Sequence, residues 1–285
     1  MRATVGAVHQ FGEGVADAAG AHVVVVDALI PQHGGDERNL DGVTGHVDVV
    51  RADIGDLELV PPAVRFPYIK MGRSISGFRL NQTNGKFGPF DNQLFLGDYT
   101  QSIIMRATTE QINGVWQGAC YPFREGLATG IMNVEFSPTG QLIAGGFTTN
   151  TQWPVRGTEP FALQRIDWNG TVPFEIKEIN IKPKGFNITF TKPIDKAAAA
   201  KAENYTVTTY THIYHEGYGS PEVDQTTPKV TQVVPAEDGL SVYVHLDKIT
   251  EDHIHDFDLG KLTGADGQHL LHAKAYYTVN EIPRE

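Results

Sequence analysis

An all-β fold follows from three features of the sequence. From Pro62 onward, short apolar runs of strand length are separated by clusters of Gly, Pro, Asn and Asp. Several runs alternate strictly, as in Phe186-Asn187-Ile188-Thr189-Phe190-Thr191, the period of a half-buried strand. Helical character is confined to Lys196–Asn204, with its four consecutive alanines. On this pattern the chain divides into an atypical N-terminal segment (1–60), partial β-propeller blades (61–172) and a C-terminal immunoglobulin-like β-sandwich (173–285).

Residues 1–60 contain no Lys, Ser, Tyr, Trp or Cys and a single aromatic, Phe11, whereas every Lys, Tyr and Trp lies beyond them. Such a step in composition marks a boundary, and Val60-Pro61-Pro62-Ala63 punctuates it. Two readings stay open. One is a small βα element with Ala21–Val26 as a buried strand; the other is a segment foreign to the rest of the chain, or a chain start placed too far upstream. His9, His22, His33 and His46 match no compact metal-ligand spacing and read as solvated side chains.

Strands are expected at Gln93–Asp98, Ser102–Ala107 and, after an Asn113-Gly114 turn, Gly114–Tyr121. Gly130–Phe136 and Gln141–Gly146 flank Ser137-Pro138-Thr139-Gly140, a turn in which Pro138 sets φ and Gly140 takes φ > 0. An apolar hairpin of this kind ending in Gly-Gly is common as the inner pair of a propeller blade, and occurs in many other all-β folds. Trp116, Trp153 and Trp168 invite either sugar stacking or contacts sealed between neighbouring blades.

From Phe174 the strands are regular: Phe174–Ile181, Gly185–Thr191, Tyr205–Tyr210, Lys229–Val234, Leu240–Leu246, His253–Leu259 and Leu271–Val279. About seven strands in roughly 110 residues fit an immunoglobulin-like sandwich. His253-x-His255 places two imidazoles on one strand face, and His245 on a facing strand completes a candidate divalent-metal set. The alternative is hydrogen bonding between strand ends. Tyr214, Tyr218, Gly219, Ser220 and Pro221 form an aromatic turn suited to a glycan or to domain docking.

Composition excludes several function classes. With 23 Lys+Arg against 34 Asp+Glu and a net charge of −11, and no basic cluster, the chain does not suit a phosphate backbone, so nucleic acid is not an expected partner. The apolar run Ala21–Ile30 carries His22 and Asp27 and is far shorter than the roughly 20 residues of a membrane span. Cys120 alone permits no intrachain disulfide. No nucleophile elbow, P-loop or dinucleotide fingerprint occurs, and no signal peptide is visible.

Phe66-Pro67-Tyr68, Asp91–Tyr99, Tyr121–Gly130 and Phe161–Gly170, in that order, resemble the closing blades of glucose/sorbosone dehydrogenase-like β-propellers, specifically the large planctomycete-type multidomain members. Thr171-Val172-Pro173-Phe174-Glu175-Ile176 resembles the connector between propeller and sandwich in that group, and Ala275–Pro283 resembles its C-terminal signature. The resemblance implies an extracytoplasmic protein and, in the wider superfamily, pyrroloquinoline quinone (PQQ) with Ca²⁺ held over the propeller channel by residues from most blades. At roughly 40–50 residues per blade, 61–172 holds about two. No His occurs between His46 and His212. The expectation is therefore a truncated portion, non-catalytic alone, acting as an interaction or carbohydrate-contacting module. The alternatives are a PQQ-dependent sugar or polyol oxidoreductase completed by blades of another chain, and a metal-binding sandwich. Arg124 and Glu125, in the loop entering an inner strand, would face the channel, Arg124 orienting a carboxylate or quinone oxygen and Glu125 a sugar hydroxyl; a salt bridge tying blades is the other reading.

Overall fold

The computed structural model describes residues 60–148, 153–213 and 219–284. The expectations for the segment up to residue 59, its four histidines, Tyr214, His215 and Tyr218 lie outside them.

The chain is all-β. In order, β1 is Ile75–Leu80, β2 Leu94–Asp98, β3 Ile103–Ile112, β4 Val115–Arg124, β5 Ile131–Phe136, β6 Leu142–Phe147 and β7 Phe161–Ile166. They are followed by β8 Ile176–Lys182, β9 Gly185–Phe190, β10 Thr206–His212, β11 Glu222–Thr226, β12 Val230–Pro235, β13 Ser241–Leu246, β14 His253–Asp258 and β15 Lys274–Val279. The alanine stretch forms α1 (Lys196–Ala199), whose N-terminal amides on Ala197 and Ala198 donate to the Asp195 side chain, and a 3₁₀ turn follows at Ala202–Asn204. Among the described residues no helix is long and apolar enough to cross a membrane.

The strands form three open antiparallel sheets: β1-β2-β3-β4-β15-β14-β10-β11, β12-β13-β9-β8 and β5-β6-β7. The largest runs straight across residues 172 and 173, because Tyr276, Tyr277 and Thr278 of β15 pair with Cys120, Ala119 and Gly118 of β4. Close approach requires Gly118: a Cβ there would lie 2.0 Å from the Thr108 carbonyl oxygen. The two expected turns form, with positive φ at Asn113 (50°), Gly114 (89°) and Gly140 (95°).

Alternation along the strands supplies three apolar layers. Ala119, Tyr121, Phe257, Tyr277 and Val279 pack against Phe186, Ile188, Val242 and Val244 of the four-stranded sheet. Phe95, Ile104 and Phe123 pack against Ile131, Val134, Leu142 and Ala144 of the three-stranded sheet. The opposite face of the large sheet, with Leu96, Met105, Cys120, Ile254 and Tyr276, is covered by the segment preceding β1 through Val64, Phe66 and Met71. That covering strap is fixed along its length. Asn280 Nδ2 donates to the Pro62 carbonyl (3.0 Å), Arg65 N to Thr278 Oγ1 (2.7 Å), and Arg73 N to Asp98 Oδ2 (2.6 Å).

Candidate functional site

A polar seam fills the junction between the two halves. Arg106, on β3, is fully buried, and its guanidinium donates to Gln93 Oε1 (2.5 Å) and to the Ile176 carbonyl (3.0 Å) while lying over the rings of Phe90 (4.0 Å) and Tyr121 (4.9 Å). Burial pushes its pKa down to about 10, a shift that the Glu175 carboxylate opposes. Glu175, from the Pro-Phe-Glu-Ile connector, is itself buried and accepts from His272 Nδ1 at 2.6 Å. Next to it, Tyr277 OH donates to Glu110 Oε1 (2.7 Å), while the Ile179 and Ile181 amides donate to Tyr121 OH and Glu110 Oε1 (2.8 Å each). Its hydrogen bonds join β3, β4, β8 and β15, so this seam positions strands.

The open site lies at the turn joining β2 to β3. Asp98, fully buried, accepts from the Arg73 and Ser74 amides at Oδ2 and from the Gln101 amide at Oδ1, all within 2.7 Å. One carboxylate thereby fixes both the end of the strap and the turn. A third segment joins them: Arg156 N donates to the Thr100 carbonyl (2.9 Å) and Gly157 N to Ser102 Oγ (2.8 Å). Between the three lies a cavity of about 160 Å³ with an apolar wall of Ile69, Pro154 and Val155 and polar walls of Arg73, Arg156, Thr100 and Gln101. Ile69 is held at φ 67° and Ser102 at φ 53°. Positive φ on a β-branched residue is costly, and such strain clusters at binding sites.

The candidate residues are spread over several elements. Trp153, 41% exposed, immediately precedes the cavity wall. Trp116 is half-buried on β4, where its carbonyl accepts from Asn280 Nδ2. Trp168 lies over Gly88, whose φ of 84° and missing side chain make room for the indole. Arg124 and Glu125 are exposed at the end of β4 and just past it; Arg124 Nη1 donates to its own neighbour's carbonyl at Phe123 (2.7 Å) with its guanidinium over the Phe123 ring. They form no salt bridge with each other. The loop beyond them reaches the same end of the molecule, Leu127 N donating to the Ser102 carbonyl (3.1 Å).

The three histidines are not brought together. His253 and His255 share the inward face of β14, whereas His245 stacks on Tyr243 on the outer face of β13, so the sandwich core separates them. His253 is engaged by the Glu251 carbonyl (2.8 Å) and Asp224 Oδ2 (3.0 Å). His255 packs against Phe186 at 5.1 Å. Among the described residues no three His, Cys, Asp or Glu converge on a point where a cation could sit. The donor set that PQQ with Ca²⁺ would need does not fit either. Calcium takes six to eight oxygen ligands, the Arg124 guanidinium is turned onto Phe123, and the cavity is smaller than the roughly 300–1,000 Å³ of sites that enclose drug-sized ligands.

Sequence reasoning missed Arg73, Gln101 and Arg156. Each sits in a segment without periodicity, so only the convergence of three distant loops reveals them. No protein-family model matches the sequence, and no curated protein does. Two solved chains show a distant likeness: the N-terminal part of the bacterial S-layer protein SbsC (19% identity, 40% of this chain and 25% of that one, TM-score 0.30), and domains 1–6 of surface layer protein SbsC (20% identity, 40% and 15%, TM-score 0.30).

Proposed function

We propose that this chain is an interaction module of a larger β-rich assembly, non-catalytic alone, that docks further β structure onto β7. A single observation carries the reading: Phe161 and Leu163, 76% and 79% exposed, stand on the outer face of a strand that, among the described residues, is the unpaired edge of its sheet. Phe147, paired directly with Phe161 on β6, extends the apolar strip. Unprotected edges with exposed apolar residues are templates for strand pairing, and soluble proteins normally blunt them.

The resemblance to glucose/sorbosone dehydrogenase-like proteins gives the docking element a form, namely a further propeller blade. Support comes from the arrangement of β1 to β4 and of β5 to β7 as two up-and-down meanders stacked through the Phe95 layer, as adjacent blades would be. The packing of β8, β9, β12 and β13 over β4, β15, β14 and β10 likewise supports the immunoglobulin-like reading of the second half. The test is Phe161→Lys with Leu163→Lys, followed by sedimentation and binding of an apolar dye across a concentration series. The wild type is expected to associate or bind the dye and the double variant to do neither, with unchanged thermal stability because both side chains are already exposed. A wild type that stays monomeric and binds no dye at high concentration would defeat the reading.

A further inference from the structure

We infer that the element docked on β7 is β7 of a second copy of this chain, paired antiparallel about a two-fold axis through Leu163. The inference rests on the docking reading above and names its occupant. Thr148 N donates to the Pro160 carbonyl and Ser137 N to the Gln141 carbonyl, so Leu142, Ala144 and Gly146 of β6 turn their backbone groups toward Ile166, Gln164 and Ala162 of β7. The N–H and C=O groups of Phe161, Leu163 and Arg165 therefore face the open edge, on the same residues whose side chains are exposed. Pro160 does not blunt that edge, because its missing N–H falls on the β6 side. By contrast β11, an edge of the largest sheet, is polar, shifts register against β10 and holds Asp224 at φ 53°, devices that discourage pairing and that β7 lacks.

The outward series Phe161, Leu163, Arg165 is complementary to itself. Antiparallel about Leu163, it sets Leu163 against Leu163 and, twice over, Phe161 against Arg165, a cation on an aromatic face. All three residues of each strand then exchange both backbone bonds, about six in total. A shift of one residue sets outward groups against inward ones, and a shift of two leaves one residue of each strand unpaired. Arg165 is the one charged residue of β7, and Asp167 neutralises it at 2.9 Å, so the seam is neutral although each chain carries −11. With few residues a side, the buried area stays below the roughly 1,200 Å² of a standard complex, so the dimer is weak and forms at about micromolar concentrations and above.

Sedimentation of the full chain across a concentration series, read beside apolar-dye binding and cysteine cross-linking, tests the pairing. The wild type is expected to pass from monomer to dimer and stop there, since pairing consumes both edges. On mild oxidation Leu163→Cys is expected to cross-link at least about tenfold faster than Phe161→Cys, because paired Cα atoms lie about 5.5 Å apart, within disulfide reach, whereas the two 161 positions are roughly 13 Å apart along the strands. Phe161→Cys mixed with Arg165→Cys should cross-link as a pair. Cys120 is buried, and the wild type supplies its background. A protein that stays monomeric at every concentration yet binds the dye would overturn self-pairing and leave the docking reading standing; one that stays monomeric and binds no dye ends both. Growth beyond a dimer, or equal cross-linking at 161 and 163, would overturn the two-fold register.

Discussion

At the scale of single residues, His255 sets an acid limit on the fold. Both ring nitrogens are buried with no side-chain partner among the described residues, and the imidazole pKa falls to about 3, chiefly from burial and next from the charge of His253, with the His253 backbone opposing the shift. By linkage, the unfolded chain takes up a proton near pH 6.5, whereas the folded chain resists until about pH 3. Stability is therefore full above pH 6.5 and lost as pH falls from there toward 3, at up to about 1.4 kcal/mol per pH unit from this group. His255→Leu is expected to flatten that loss relative to wild type in urea unfolding at about pH 4.5 and 7.5; parallel losses in the two proteins would show that His255 is not its source. The Pro-Phe-Glu-Ile connector could be picked out as a motif, but not that its Glu175 bonds to His272. Arg106 was hidden for a different reason. A charged residue alternating with apolar ones reads as the solvent face of a strand, and only a second sheet laid over that face turns it into a buried ion.

At the scale of elements, what local sequence dictates came through most clearly. The Asn113-Gly114 and Ser137–Gly140 turns specify their hairpins because turn chemistry and period-2 alternation act over a few residues. Strand β11 escaped because Glu222-Val223-Asp224-Gln225-Thr226 is polar and largely exposed, an edge whose pairing to β10 is set by its neighbour rather than its own pattern. The glycine pair at the end of β6 is a sharper test of the architecture. A Cβ on Gly146 would lie 1.7 Å from the Gly130 carbonyl oxygen, which is backbone and cannot step aside. One on Gly145 would meet nothing nearer than the Leu163 Cδ1 tip at 3.2 Å, a flexible and exposed group, with the Ala162 carbonyl oxygen at an ordinary 3.8 Å. Gly146→Ala is thus expected to cost about 3 kcal/mol and Gly145→Ala less than about 1 kcal/mol in denaturant titrations. Equal effects would mean that β6 does not approach Gly130 this closely.

At the scale of the whole molecule, the fold ties together what composition and punctuation separate. Alternation tells which face of a strand is buried but not which strand lies beside it, so the pairing of β15 with β4, about 160 residues apart in sequence, is invisible until the chain is folded. Its consequences are physical. The core of the second half includes Ala119 and Tyr121 of β4, and the amides of Ile179 and Ile181 on β8 find their acceptors on Tyr121 and on Glu110 of β3. A fragment spanning 173–285 would lose those acceptors, expose the β4-facing edge of β15 and uncover apolar surface that Tyr121 now shields. Each buried donor left unsatisfied costs about 1–3 kcal/mol, and a domain is only marginally stable at about 5–15 kcal/mol. The fragment is therefore expected to unfold at a markedly lower urea concentration than the full chain, or without a cooperative transition, while adding residues 60–172 as a separate polypeptide should restore part of the difference. A fragment that unfolds cooperatively at the full-chain midpoint would establish that the second half is autonomous and that the continuous sheet is a docking of two finished units, since only then would β15 need nothing from β4.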